Sequence, residues 1–300
     1  RSGKPELFFP HARYFRGRGM VVLVPEYRLA RKGDDTGVIH AASDIQATLN
    51  WARAHAERLG IAANRIVVAG DSAGGHLAAV AGLSAVGEQK RIGPAGLILL
   101  NPITDTTAGR WRLNVERPAR VSPIHLVGTN GPPTLVLHGS ADSVVPIEQS
   151  EAFVEAMSAA GGDAALVEMP GARHAFGLRG HGSDRQVLGA ARLMDAFLSE
   201  LDLLTGPPDA RLLGKYLSDA AIGARIGDAG HYITGGTLIY LLNPDGRAFT
   251  LRLHRYDWPF EGGWNQRKLK VRVKGPSGDR VVDRQIVTDE SGAVVEVPAG

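Results

Sequence analysis

The sequence predicts an α/β fold in which a mostly parallel sheet carries helices on both faces. Short apolar runs alternate with longer segments of helical spacing through the first two thirds of the 300 residues. Strands separated by helix-length segments pair in parallel, because the helix returns the chain to the same edge of the sheet. An apolar content of 44% is enough for a large packed core.

The individual elements follow from apolar periodicity and from stop signals. Strands are predicted at 20–25, 65–69, 96–100, 134–138 and 164–168. Helices are predicted over 41–59, from 73 onward, and over 147–160 and 186–204. Gly60 closes the first of these helices and the pair Gly161-Gly162 closes the third, as expected for glycine after a helix.

The pattern changes after residue 205. Gly206-Pro207-Pro208 predicts a linker over 206–210, after a first domain that covers residues 1–205. Beyond a short helical piece at 211–221, the alternating segments predict two hairpins, which pair 231–242 with 248–256 and 268–273 with 281–288. Residues 211–300 are therefore expected to form a small all-β, sandwich-like accessory domain whose sheet is incomplete.

Composition excludes several classes of function. The net charge is +3 and no basic run of five or more residues occurs, so nucleic acid is not an expected partner. The chain has no cysteine, which excludes thiol catalysis, thiolate metal sites and disulfides but leaves the compartment open. No apolar run reaches the roughly 18 residues of a membrane span.

One serine lies between a predicted strand and a predicted helix of small residues, in the context that a G-x-S-x-G nucleophile elbow requires. The tight turn is expected to strain the backbone of this serine and to need glycine-sized neighbours. The helix N-terminus that follows favours negative charge, so the amide of the next residue is expected to stabilise an oxyanion. The nucleophile is Ser72, the oxyanion donor is Ala73, and the supporting residues are Gly70, Asp71, Gly74 and Gly75.

An elbow serine needs a histidine as general base and a carboxylate that orients the histidine. In this arrangement the acid precedes the histidine, and each lies on a loop after a later strand. Asp142 lies after the strand predicted at 134–138, and His174 lies after the strand predicted at 164–168. The sequence therefore predicts a triad of Ser72, His174 and Asp142.

Three other acids fit the role of Asp142 less well. Asp71 is adjacent to the nucleophile and is expected to support the turn. Asp105 follows a strand that comes one position too early, and Asp163 precedes a strand, at the opposite edge of the sheet.

Three other histidines compete with His174. His76 lies in the helix after the elbow and His138 at a strand end, so both are expected to be structural. His181 lies seven residues past His174 in a glycine-rich loop and is the one serious competitor.

With these residues assigned, the chain from about residue 1 to 205 resembles the esterase and lipase branch of the α/β hydrolases. That branch includes the hormone-sensitive-lipase-like enzymes and related bacterial carbohydrate esterases. The segments that carry the resemblance are the elbow at 70–75, Glu26-Tyr27-Arg28-Leu29, Ser122-Pro123, and His138-Gly139 with Asp142 and Val145-Pro146. The resemblance implies an α/β-hydrolase fold and cleavage of small-molecule or carbohydrate esters through an acyl-enzyme, without metal or organic cofactor.

The chain departs from this family at its start. The family carries a His-Gly-Gly stretch after its third strand, which supplies further oxyanion-hole amides, and this chain has no such stretch. Residues 6–19 resemble the first helix and residues 20–25 the fourth strand. We therefore expect the first three strands and half of the oxyanion hole to lie upstream, in a longer parent protein.

Three alternatives to an esterase stay open at this point. A peptidase of the prolyl-oligopeptidase kind and an arylformamidase would use the same fold and triad. A non-catalytic binding protein on a hydrolase scaffold is the third. Aromatic side chains of the second domain fit either a sugar-binding face or a sandwich core; they are Tyr232, Tyr240, Tyr256, Trp258, Phe260 and Trp264.

Overall fold

The computed structural model describes residues 5–31, 33–87 and 93–217, together with four strands after residue 248. The chain divides into two compact units, Arg1–Ala224 and Arg225–Gly300. The predicted boundary at 206–210 stays a prediction.

The first unit is built around four parallel strands, which confirms the predicted parallel sheet. They are β1 (Val67–Asp71), β2 (Gly96–Leu100), β3 (Thr134–Gly139) and β4 (Ala164–Met169), adjacent in that order. Every residue of β2 and β3 is buried. Because all four strands run in parallel, their carboxyl ends meet at one edge of the sheet, and the loops that follow them converge there.

Helices cover both faces of this sheet, as predicted. Eight α-helices are described: α1 (Phe9–Gly17), α2 (Thr36–Ala54), α3 (Ala56–Leu59), α4 (Ala73–Gly87), α5 (Pro123–Leu126), α6 (Glu148–Ala159), α7 (Asp184–Glu200) and α8 (Ala210–Leu217).

Alternate side chains of the central strands pack on opposite helices. Ile98 and Leu100 of β2 belong to a core shared with α1, α7 and α8, whereas Leu97 and Leu99 belong to a core shared with α4 and α6. This is the two-residue period of a strand that is buried on both faces.

A buried polar contact holds α1 against α7. Tyr14 Oη donates to Asp195 Oδ2 at 2.6 Å, and Arg18 Nε donates to the same oxygen at 2.8 Å. The carboxylate of Asp195 is completely buried and is matched by one cation and one hydroxyl. A buried charge with such partners avoids most of the cost of leaving water.

The prediction of a buried strand at 20–25 is wrong. The structure assigns no strand there, and Val21, Val22 and Leu23 are 48%, 38% and 42% exposed. A strand requires a neighbour that completes its backbone hydrogen bonds. No strand among the described residues pairs with this segment, because the described sheet begins at β1.

The helix predicted at 211–221 forms over Ala210–Leu217, but it packs in the first unit and not in the accessory domain. Leu213 and Leu217 are buried in the core shared with α1 and α7. Burial of these two leucines explains the difference, since the short helix has an apolar side that the first unit covers.

The second unit contains two antiparallel strand pairs among its described residues. Strands β6 (Lys268–Lys274) and β7 (Arg280–Val287) pair as the sequence predicts, while β5 (Phe249–Leu253) pairs with β8 (Ala293–Val297). The predicted partner segment 231–242 and the six aromatic residues named above lie outside the described residues. The all-β, sandwich-like domain stays a prediction.

Within the described part of the chain, no helix has the length and apolar character needed to cross a bilayer.

Candidate active site

Ser72 lies at a sharp turn between β1 and α4. Its φ of 54° is in the left-handed region, which a non-glycine residue rarely adopts. Two backbone hydrogen bonds hold the turn: Ser72 N donates to Leu100 O of β2 at 2.8 Å, and His76 N donates to Ser72 O at 3.0 Å. The strained backbone lifts the Ser72 side chain above the carboxyl edge of the sheet, which is the geometry of a nucleophile elbow.

Gly70 is required because strand and helix approach each other closely at the elbow. A Cβ at Gly70 would lie 2.2 Å from Gly74 O, and a Cβ at Gly75 would lie 3.1 Å from Gly70 O. The predicted steric need for glycine at Gly74 is wrong: a Cβ there would meet no atom of the described chain within 4 Å. The pair that must stay small is therefore Gly70 and Gly75.

Asp142 and His174 meet Ser72 in one continuous chain of hydrogen bonds. His174 Nε2 lies 2.8 Å from Ser72 Oγ, and His174 Nδ1 lies 2.6 Å from Asp142 Oδ2. Since a carboxylate only accepts, Nδ1 carries the proton and donates to Asp142, which leaves Nε2 free to accept from the serine hydroxyl. The structure thus brings together the three residues that the sequence selected.

The carboxylate of Asp142 is completely buried and is fixed by its own loop. Its Oδ1 accepts hydrogen bonds from Val144 N at 2.8 Å and from Val145 N at 2.9 Å. Its Oδ2 is left to His174, whose side chain is 19% exposed. The carboxylate is therefore excluded from solvent and held in one orientation, while the imidazole is partly exposed where a substrate can approach.

The loops that carry the acid and the base are joined by backbone hydrogen bonds. Ser140 N donates to Met169 O at 3.1 Å, and Ala141 N donates to Ala172 O at 3.0 Å. Gly139 allows this approach, because a Cβ there would lie 2.3 Å from Ala172 O. The distance between Asp142 and His174 thus depends on two loops that are fastened to each other.

Asn101 is a site residue that the sequence did not reveal. It is completely buried at the end of β2, with φ of 43°. Its Nδ2 donates to Asp71 Oδ1 at 3.1 Å and its Oδ1 accepts from Gly139 N at 3.2 Å. One amide side chain therefore connects the ends of β1, β2 and β3 beneath the triad. In the sequence, the Asn101-Pro102 pair indicates only the end of a strand. It does not indicate that the Asn101 side chain bonds the ends of two neighbouring strands.

Asp71 is a second buried carboxyl group next to the nucleophile. Burial is the main cause that raises the pKa of Asp71 from 3.8 to about 6. The hydrogen bond from Asn101 and the charge of His174 lower this pKa, and the nearby charge of Asp142 raises it. Its side chain bonds Asn101, which fits the predicted role as support for the turn.

The rival residues lie in other environments. His76 is buried, with Nε2 2.5 Å from Val121 O, and burial lowers its pKa. Asp105 accepts from Thr107 N and Oγ1 at 2.8 and 2.7 Å. His181 is exposed and its backbone amide bonds Leu178 O at 3.1 Å. Asp163 is exposed at the amino end of β4, as its place in the sequence predicts.

A cavity of about 90 Å³ adjoins the first turn of α4. Ala73, whose amide is at the start of that helix, lines it together with Tyr27, Val38, His76 and Leu77. The first amides of a helix have no partner within the helix and are available to an anion. Among the described residues no cluster of three or more side chains could hold a metal ion.

The sequence matches two family models that meet near the middle of the first unit. Residues 12–120 match the model of the alpha/beta hydrolase fold, and residues 100–201 match the model of the prolyl oligopeptidase family. Esterase LipC of Mycobacterium tuberculosis is 35% identical over 163 residues, which are 45% of this chain and 40% of LipC. Ethyl acetate hydrolase of Pseudomonas putida is 27% identical over 184 residues, which are 53% of this chain and 56% of that protein. The chain thus spans about half or less of the length of these two relatives.

Solved structures match a larger part of the chain. The structure of Thermogutta terrifontis esterase 2 phosphorylated by paraoxon superimposes with a TM-score of 0.61 at 34% identity. The match covers 69% of this chain and 80% of that esterase. With the elbow, the parallel sheet and the converging loops, these similarities show that the chain belongs to the esterase and lipase branch of the α/β-hydrolase superfamily.

Proposed function

We propose that this protein hydrolyses carboxylic esters through an acyl-enzyme formed on Ser72. The observation that carries the proposal is the unbroken chain from Ser72 Oγ through His174 to Asp142, with distances of 2.8 and 2.6 Å. A nucleophile, a base within hydrogen-bond reach and a group that orients the base are the requirements for nucleophilic acyl transfer.

Acylation starts when Ser72 Oγ attacks the carbonyl carbon of the ester. The hydroxyl proton passes to His174 Nε2, and the carbonyl oxygen of the tetrahedral intermediate becomes an oxyanion. The amide of Ala73 donates to that oxygen at the positive end of α4. The C–O bond to the alcohol then breaks, and His174 Nε2 returns its proton to the leaving alkoxide.

Deacylation repeats these steps with water as the nucleophile. His174 Nε2 takes a proton from the water, whose oxygen attacks the acyl carbon. The second tetrahedral intermediate releases the carboxylic acid, and Ser72 recovers its proton. Asp142 keeps the imidazole in the tautomer with the proton on Nδ1 and stabilises the imidazolium in both stages.

The named relatives support this chemistry. LipC and ethyl acetate hydrolase are named as enzymes that act on esters. Thermogutta terrifontis esterase 2, with the same fold, has been phosphorylated by paraoxon and has been observed with propionate bound. An activated serine of the kind formed here is a nucleophile that such a reagent can phosphorylate.

The cavity beside Ala73 favours a small group on one side of the ester. At about 90 Å³, with Val38, Ala41 and Leu77 in its lining, it suits a short acyl chain better than an aromatic acid. A short acyl group attached to a simple alcohol or to a carbohydrate hydroxyl fits equally. Nitrophenyl acetate, butyrate and octanoate distinguish the acyl lengths, and acetylated xylan tests the carbohydrate.

Steady-state hydrolysis of nitrophenyl acetate tests the proposed activity. Ser72→Ala is expected to lower kcat by roughly 10⁴-fold or more, because it removes the nucleophile. Ser43→Ala is the matched control, since Ser43 is an exposed serine whose hydroxyl bonds only Ile39 O of its own helix. Equal activity in Ser72→Ala and Ser43→Ala would contradict the proposal.

The match of residues 100–201 to the prolyl oligopeptidase family favours one second candidate, a peptidase. The same triad can attack an amide carbonyl, and the leaving amine then takes the proton from His174. Hydrolysis of prolyl nitroanilides faster than nitrophenyl acetate, with both lost in Ser72→Ala, would favour the peptidase over the esterase.

A further inference from the structure

His138 lies beneath the acid of the triad and takes no part in the chemistry described above. Its side chain is completely buried at the end of β3. Its Nδ1 lies 2.7 Å from Ser150 Oγ in α6, and its Nε2 lies 2.9 Å from Val145 O. The same Nε2 is 3.5 Å from Asp142 Oδ2, the oxygen that accepts from His174.

We propose that His138 is a positioning residue for ester hydrolysis. As a neutral imidazole protonated on Nε2, it donates a hydrogen bond to Val145 O, and this bond keeps Val145 where its amide can hold Asp142 against His174. This inference rests on the proposed function for its kinetic consequence, but its structural consequence is independent of turnover.

The partners of His138 determine its tautomer. A backbone carbonyl can only accept a hydrogen bond, so Nε2 must carry a proton to bond Val145 O. Nδ1 then accepts from the hydroxyl of Ser150, which can rotate to donate. Burial lowers the pKa of His138, which favours the neutral ring over the cation.

The hydrogen bond of His138 acts on Asp142 through a single residue, Val145. Val145 is completely buried; its carbonyl accepts from His138 and its amide donates to Asp142 Oδ1 at 2.9 Å. Both sides of this residue are therefore occupied, one by the histidine and one by the carboxylate. If Val145 moves, one of the two amides that orient the acid moves with it.

The position of the Nε2 proton adds a direct effect on the acid. The protonated Nε2 of His138 lies 3.5 Å from Asp142 Oδ2, the oxygen that accepts from His174. A partial positive charge at this distance in a buried site stabilises the carboxylate. His138 therefore acts on the geometry of Asp142 through Val145 and on its charge through space.

Two substitutions by amide side chains test the roles of the two ring nitrogens of His138 separately. The amide nitrogen of Gln in His138→Gln reaches the position of Nε2 and can still donate to Val145 O. In His138→Asn the shorter amide reaches only the position of Nδ1, so it can bond Ser150 but leaves Val145 O without its donor. The two variants differ by one methylene group, and both keep a polar group in the space that the imidazole of His138 occupies.

Ring ¹⁵N shifts of the histidines, correlated with the carbon-bound ring protons, report the tautomers in the full chain. The wild type is expected to show His138 protonated on Nε2 and His174 protonated on Nδ1. His138→Asn is expected to make His174 a mixture of tautomers, whereas His138→Gln keeps it on Nδ1. His76→Asn is the control, because His76 is another buried imidazole bonded to a backbone carbonyl, that of Val121, and its loss should leave the tautomer of His174 unchanged.

Ester hydrolysis gives the second readout. His138→Asn is expected to lower kcat by roughly 10²-fold with little change in KM, since a small displacement of a catalytic group has an effect of that size. His138→Gln should recover most of the loss. A merely structural role would lower thermal stability in both variants and leave the tautomer of His174 unchanged.

The proposal is overturned if wild-type His138 carries its proton on Nδ1, or if His174 keeps its Nδ1 tautomer in His138→Asn. These results do not depend on activity. A wild type that shows the expected tautomers but hydrolyses no ester would instead contradict the proposed function and leave the positioning role of His138 in place.

Discussion

The two sides of Ser72 differ sharply in how closely they are packed. On one side lie the loops after β3 and β4, where the side chains of Asp142 and His138 are completely buried and every polar atom described above has a partner. On the other side lie the start of α4 and the segment 27–30, which line one cavity. Ala73 is exposed there and Leu29 is 49% exposed. The described residues therefore complete the acid–base side, whereas they leave the side with the cavity open.

Proton transfer requires fixed distances, so the base and the acid are held by buried hydrogen bonds and by two joined loops. The open side contains the cavity beside Ala73. Substitutions on the acid–base side should therefore affect both kcat and folding, whereas substitutions of exposed side chains on the open side should affect folding little.

The largest effect is expected from Asp142→Asn on the acid–base side. An amide in place of the carboxylate can donate to His174 Nδ1 and so favours the wrong tautomer of the imidazole. We expect kcat for nitrophenyl acetate to fall by roughly 10⁴-fold while the fold is kept. Asp163→Asn, at the opposite edge of the sheet, serves as control, and a similar loss in both variants would show that Asp142 has no special role.

Gly70→Ala and Gly74→Ala form a matched pair at the elbow itself. The new Cβ at Gly70 would lie 2.2 Å from Gly74 O, a contact with rigid backbone, so we expect a loss of about 3 kcal/mol in the free energy of unfolding. At Gly74 the space is open and alanine favours a helix, so stability should stay equal or rise by up to about 1 kcal/mol. Urea denaturation of the two variants measures the difference; an equal loss in both would show that the approach of strand and helix is looser than described.

Asp71→Asn tests whether the raised pKa of the buried Asp71 carboxyl makes the stability of the protein depend on pH. The folded protein holds the Asp71 proton up to a pKa of about 6, whereas the unfolded chain releases it near 3.8. Between these values the folded state binds more protons, so its stability falls as the pH rises and the loss is complete above about pH 6.

Removing this group should therefore stabilise the protein by about 3 kcal/mol at pH 8 and by almost nothing at pH 3.5. The amide introduced by Asp71→Asn keeps an oxygen that can accept from Asn101. Urea titrations at the two pH values measure the change, and a gain that is the same at both would rule out ionisation of Asp71 as its cause.

The smallest effects on the free energy of unfolding are expected from replacing one buried and one exposed valine by alanine. Val145→Ala removes two methyl groups from a completely buried position and should cost about 2 kcal/mol in the free energy of unfolding. Val21→Ala, at a position that is 48% exposed, should change it by less than about 0.5 kcal/mol. Thermal denaturation compares the two, and an equal cost would mean that the segment 20–25 is packed in solution.

Much of the fold could be predicted because the relevant signals are local. The runs 96–100 and 134–138 are continuous apolar stretches between breakers, and the structure has strands there. The elbow follows from six adjacent residues. The choice of Asp142 and His174 needed only the order of strands and the rule that loops at the carboxyl edge converge.

The remaining features depend on contacts between distant segments. The run 20–25 has the composition of a buried strand, but composition does not provide the neighbour that a strand needs. Asn101 connects three strand ends, and its role appears only when Asp71 and Gly139 are seen on either side of it. Gly74 looks equivalent to Gly70 in the motif, and only the path of α4 shows that one is crowded and the other is not.

Covalent labelling with a fluorophosphonate tests the central claim most directly, since it requires an activated serine but no knowledge of the natural ester. One adduct per chain is expected, located by peptide mapping on Ser72, and its rate of formation should collapse in His174→Ala. A chain that stays unlabelled, or a label on another serine such as Ser140, would contradict the assignment of Ser72 as the nucleophile.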